Sequence, residues 1–94
     1  MPGFTDSEVD ERLQGLPGWQ RVGALIRREY GHADFKSAMI FVNRVAELAE
    51  AADHHPDILI NYNRVTLSLT SHDRGGLTER DFRLAARIDG MTTA

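Results

Sequence analysis

Apolar and polar positions repeat along this chain with two different periods, and the period changes where capping and turn residues stand. Val9 and Leu13 lie four apart, behind Thr5-Asp6-Ser7-Glu8. At that spacing the Thr5 hydroxyl and the Glu8 carboxylate can satisfy end amides of a short helix, which Gly15 and Pro17-Gly18 close. Trp19 to Val22 and Leu25 to Tyr30 read as two strands joined near Gly23. In the second, Ile26, Arg28 and Tyr30 share one face and Leu25, Arg27 and Glu29 the other, so a solvated Arg-rich face implies a sheet buried on one side. Asp34 is placed to cap a helix from Phe35 to about Ala52. Phe35, Ala38, Met39, Val42, Val45, Ala46, Ala49 and Ala52 form its core-facing stripe, while Ile40, Phe41 and Leu48 lie off it and widen the apolar surface towards a partner subunit or a deeper core.

Strict alternation returns after Pro56. Ile58, Ile60 and Tyr62 oppose Leu59 and Asn61; Val65, Leu67 and Leu69 oppose Thr66 and Ser68. Asn61-Tyr62-Asn63 between them suits a tight hairpin, because Asn tolerates left-handed geometry. Gly75-Gly76 turns the chain, and Thr78 with Asp81 starts a last helix whose buried face is Phe82, Ala85, Ala86 and Ile88 and which Gly90 can close, leaving Met91 to Ala94 frayed. The predicted order is α-β-β-α-β-β-α. It implies an α+β fold in which a four-stranded antiparallel sheet carries three helices on one face.

Composition narrows the function classes. With 94 residues, 41% of them hydrophobic, one domain spanning 1–94 is expected, and oligomerisation would help to bury its apolar surface. A net charge of −3 with acids and bases interspersed shows no basic patch for nucleic acid. The longest apolar run, Ala38 to Val42, is too short for a bilayer, and Met1-Pro2-Gly3-Phe4 is unlike an export signal. Absence of cysteine excludes disulfides and thiolate metal sites, and fits a cytoplasmic location. There is no GxGxxG and no Gly-Lys-Ser/Thr, so nucleotide binding has no support and no cofactor is expected.

Three of the four histidines carry the candidate chemistry. His54 and His55 stand at a helix exit before Pro56, and His72 at a strand exit before Asp73-Arg74-Gly75-Gly76. Imidazoles near their reference pKa of ~6.5 give or take protons near neutrality. Three of them at the two ends of a hairpin could surround a small polar molecule, as general acid–base catalysis requires. Pro56 biases His55 to extended geometry. Glu50, one turn before His54, could orient an imidazole or be a solvated face residue. A zinc site built from these histidines with Asp53, Asp73 or Asp81 is the alternative, but no HExxH pair is present and no metal is expected. Asp81 reads first as the return half of a capping box.

Glu50-x-x-x-His54-His55-Pro56, then Tyr62, His72-Asp73, Gly75-Gly76-Leu77-Thr78 and Asp81 closely resembles the pterin-4a-carbinolamine dehydratase family, from about Leu48 to Asp89 and more weakly upstream. The resemblance implies a homodimer or homotetramer that dehydrates a 4a-hydroxytetrahydropterin to the quinonoid dihydropterin in pterin recycling. It places His54, His55 and His72 around the pterin as catalytic residues, with Glu50, Pro56, Ser71, Asp73, Arg74 and Asp81 on the substrate. His54 and His72 are the expected acid and base, and His55 the residue that holds the pterin. Some relatives serve as dimerisation partners of a transcription factor, so the alternative is a non-catalytic binding module. Ile58-Leu59 departs from an aromatic pair common in the family. His32 stands where a core Phe is common and is read as packing, not as a fourth catalytic histidine.

Overall fold

A computed structural model describes residues 3–92; positions 1, 2, 93 and 94 lie outside the described residues, and of the expected frayed end Met91 and Thr92 instead continue the last helix. Helix α1 (Asp6–Leu13) starts in the expected capping box, with the Thr5 amide donating to Glu8 Oε1 at 2.8 Å and the Glu8 amide to Thr5 Oγ1 at 3.3 Å. Strands β1 (Gln20–Val22), β2 (Leu25–Gly31), β3 (Asp57–Asn61) and β4 (Arg64–Leu69) form one antiparallel sheet in the order β1-β2-β4-β3. Helix α2 (Phe35–Ala52) connects the hairpins, and α3 (Glu79–Thr92) follows a short 3-10 turn at His72–Arg74. Both the fold class and the element order agree with the sequence reading.

β4 lies between β2 and β3, and its inward residues Val65, Leu67 and Leu69 are fully buried with Ile26 of β2. Against them pack Ala38, Phe41 and Val45 of α2 and Phe82, Leu84, Ala85 and Ile88 of α3. The buried stripe of α2 is rotated from the expected one. Phe41 is buried, whereas Phe35 is 49% exposed and Ala46 and Ala52 face solvent. Leu84 likewise replaces Ala86 on the inner face of α3, and α3 runs on through Gly90. Several helical stripes were compatible with so apolar a segment, and contact with β4 chose among them. At the β3–β4 turn, Tyr62 rather than an Asn takes the positive φ of 54°.

A partly buried carboxylate fastens α3 to the first hairpin. Asp89 accepts from Trp19 Nε1 at 3.0 Å, from the Tyr30 hydroxyl at 2.5 Å and from Arg28 Nη1 at 3.1 Å. Burial, then the hydrogen bond to Asp89 and its negative charge, push the Tyr30 hydroxyl well above the usual tyrosine range, against a smaller opposing effect of Arg28. A group whose pKa is raised by folding contributes stability that is complete below its unfolded value, ~10, and is lost as pH rises beyond it. Tyr30→Phe is therefore expected to be less stable than wild type at pH 7 by about 1.5–3 kcal/mol, the range for a hydrogen bond to a charged group. That gap should narrow in denaturant melts above about pH 10; a gap constant with pH contradicts the assignment.

Candidate active site

The end of α2 sets where the adjacent histidines go. Asp53 adopts a left-handed conformation, with φ of 51°. Its amide bonds to Glu50 O at 3.2 Å and the His54 amide to Ala49 O at 3.1 Å, the paired bonds of a Schellman ending. This reversal turns His54 inward, where it is 7% exposed. His55, next in an extended segment held by Pro56, points out to solvent. Sequence patterning did not single out Asp53 as the closing residue, because Asp is merely tolerant of αL geometry where Gly is the usual signal.

The second loop is built by β4 and two glycines. Asp57 of β3 pairs with Ser68 of β4, so the segment that leaves α2 and the segment that leaves β4 meet at one end of the sheet. His72 opens the 3-10 turn and is exposed. Gly75 and Gly76 have φ of 80° and 136°, which side chains rarely tolerate, and they redirect the chain into α3.

Asp81 joins the two loops. It is fully buried, and its Oδ1 lies 2.5 Å from His54 Nε2. Its Oδ2 accepts from Ser71 Oγ at 2.9 Å and from the Thr78 amide at 2.9 Å, the latter being the expected return half of a capping box. Thr78 Oγ1 lies 3.0 Å from Ser71 Oγ and completes the cluster. Since both carboxylate oxygens accept, the imidazole Nε2–H is the donor to Asp81. Ser71, at 1% exposure, and Asp81 are thus turned inward between the two loops. Both oxygens of this buried carboxylate are spent on the loops it holds.

The exposed residues pair differently. His55 Nε2 bonds to Glu50 Oε2 across the helix end. Asp73 Oδ1 accepts from Arg80 Nη2 at 2.7 Å, and Asp73 also lies 3.6 Å from Arg74. Desolvation opposes the shift, but the Arg80 hydrogen bond and the Arg80 and Arg74 charges prevail and hold the Asp73 carboxyl below the usual range. A cavity of about 150 Å³ beside His54 is lined by Ala52, His54, Arg80, Arg83, Leu84 and Arg87, and contains neither His55 nor His72. The three imidazoles are therefore divided, one held inward and two presented outward, instead of ringing one closed pocket. A wider cleft of about 500 Å³, bordered by Tyr30, His32, Ile40, Phe41 and Arg44, contains none of the motif residues. His32 stacks there on Phe41 with ring centroids 4.9 Å apart. Among the described residues, no group of three His, Cys, Asp or Glu is arranged to hold a metal ion, and no helix is long and apolar enough to cross a membrane.

An antiparallel sheet under three helices, with two histidine-bearing loops tied to one internal carboxylate, defines a small α+β protein. The chain belongs to the pterin 4 alpha carbinolamine dehydratase family, whose model matches residues 2–91. A protein of Acidobacterium capsulatum provisionally named as a pterin-4-alpha-carbinolamine dehydratase is 54% identical over 91 residues, covering 97% of this chain and 99% of its own. The crystal structure of a transcriptional coactivator/pterin dehydratase from Brucella melitensis superposes with a TM-score of 0.90 at 37% identity, covering 95% of this chain and 97% of the other. A pterin dehydratase-like protein identified as a RuBisCO assembly factor in the alpha-carboxysome shares the fold, with a TM-score of 0.65 at 21% identity over 81% of this chain and 88% of its own.

Proposed function

We propose that this chain is a hydro-lyase that dehydrates a 4a-hydroxytetrahydropterin, such as 4a-hydroxytetrahydrobiopterin, to the quinonoid dihydropterin in pterin recycling, using histidines and no metal or cofactor. The observation that carries the proposal is Asp81 bonded to both His54 and Ser71, which holds the loop of His55 and the loop of His72 at one end of the sheet. The reaction needs a proton delivered to the hydroxyl leaving C4a, while the N5 lone pair assists its departure and N5 then gives up its own proton. His55 and His72 reach solvent and can serve those two positions. His54 has its Nε2 occupied by Asp81, so it acts by positioning, and the role first expected of it passes to His55. Glu50, bonded to His55, orients that ring. Pro56, Asp73 and Arg74 border the same surface, and the Ser71 to Arg74 backbone supplies its polar edge.

The chain also carries surface suited to self-association. Ile58, Leu59 and Ile60 on edge strand β3 are 36%, 63% and 36% exposed and Tyr62 in the turn after it is 65% exposed, and an open apolar edge of this kind favours pairing with a second copy. On our reading the chain works as a homodimer or homotetramer in the cytoplasm. The Brucella structure, by its own name both coactivator and dehydratase, makes a non-catalytic binding module the second reading. Purified protein mixed with freshly generated 4a-hydroxytetrahydrobiopterin is expected to speed the decay of carbinolamine absorbance above its spontaneous rate. Decay at the spontaneous rate rejects the dehydratase in favour of the binding module. Sedimentation equilibrium of the same preparation should give two or four times 10.5 kDa; a monomer rejects self-association.

A further inference from the structure

The cavity beside His54 has a feature that proton transfer at the sheet end does not use. Arg80, Arg83 and Arg87 are spaced three and four residues apart on α3, which stacks them on one helix face lining the cavity. Like charges at this spacing repel one another. Arg80 is partly compensated by Asp73 at 2.7 Å, yet its Nε is buried with no hydrogen-bond partner. Arg83 and Arg87 are exposed and make no ion pair among the described residues, in a chain whose acids outnumber its basic residues by 14 to 11. The two remaining charged features nearby do not cancel them. Asp81 is committed to His54, Ser71 and Thr78, and the C-terminal end of α2 at Ala52 contributes only about half a negative charge.

Size and donor number specify the ligand. At about 150 Å³ the cavity is smaller than the roughly 300 Å³ at which sites for whole organic ligands begin, so it suits a single small group. Each guanidinium presents five N–H donors in a fixed fork. One carboxylate has two oxygens and satisfies one fork, whereas a tetrahedral phosphate offers oxygens in several directions at once. We propose that Arg80, Arg83 and Arg87, with His54 at the wall, form a binding site for phosphate or a phosphate monoester. The ligand would lie against the ring that Asp81 holds, so occupancy of the site is felt at His54. The proposal is independent of the dehydratase reading, since it concerns binding and not turnover.

Inorganic phosphate is the probe. Its binding to the intact wild-type chain is followed by thermal melting, and by the His54 side-chain resonances in ¹H–¹⁵N spectra, against sodium chloride at matched ionic strength and pH. Phosphate also stabilises proteins without binding them, through exclusion from their surface, so saturation and its loss in a variant are what count. The expected result is a saturable rise in Tm with a parallel His54 shift, and a dissociation constant raised tenfold or more in the double variant Arg83→Gln/Arg87→Gln. Both substitutions are on exposed positions and leave the core intact. A non-saturating response, or a double variant weakened less than tenfold, overturns the site. A phosphomonoester such as glycerol phosphate, run as a second arm, distinguishes the free anion from the esterified group.

Discussion

His55→Ala and His72→Ala are each expected to lower kcat by about 10²–10⁴-fold, the usual contribution of a positioned general acid or base. His54→Ala should behave differently. Its Nε2 is 2.5 Å from a buried carboxylate, so the variant loses a structural anchor and melts earlier, and its lost activity tracks its lost stability. Glu50→Gln provides the internal control. The Glu50 side chain bonds only to the outer ring, so the variant should keep wild-type stability while kcat falls, because the bond that orients His55 is weakened. Single-turnover kinetics on the four variants check this. Equal kcat losses at His54, His55 and His72 with unchanged melting temperatures would mean that the division between inner and outer imidazoles is mistaken.

Asp81→Ala is expected to have the largest effect on stability. It strips the partner from a buried imidazole, a buried serine hydroxyl and the Thr78 amide at the start of α3. Leaving a buried hydrogen-bonding group unsatisfied costs about 1–3 kcal/mol, and here three lose their partner. A domain of this size has roughly 5–14 kcal/mol in total, so the variant should be largely unfolded by modest heating or denaturant. Asp81→Asn keeps the volume but places an amide NH₂ against groups that were donating, and should fall between wild type and Ala. Urea melts decide the matter. A destabilisation under about 1 kcal/mol for Asp81→Ala shows that the loops are held by something else.

Much of the fold was legible because its signals are local. The Thr5 to Glu8 box, the Asp34 cap, the alternation in β2 and β4 and the glycine pair before α3 each act within a few residues, and each appears where its spacing places it. Register and facing were harder. In α2 the residues from Ala38 to Val42 are all apolar, so periodicity could not decide that Phe41 faces in while Ile40, at 48%, stays out. Asp89 carried no signal as the acceptor for Trp19, Arg28 and Tyr30, whose partners lie 59 to 70 residues away.

For the site, the sequence alone marked the candidate residues. A His-His-Pro helix exit, a third histidine at a strand exit and Asp81 at a cap position are facts of spacing, and they identified the family before any coordinates did. Where each histidine points was decided only in three dimensions. His54 and His55 are chemically identical neighbours; a left-handed turn at Asp53 and a carboxylate 27 residues further along draw one inside and leave the other in water. Composition cannot encode that difference, because it arises from which groups the fold places within hydrogen-bonding distance and which it leaves to solvent.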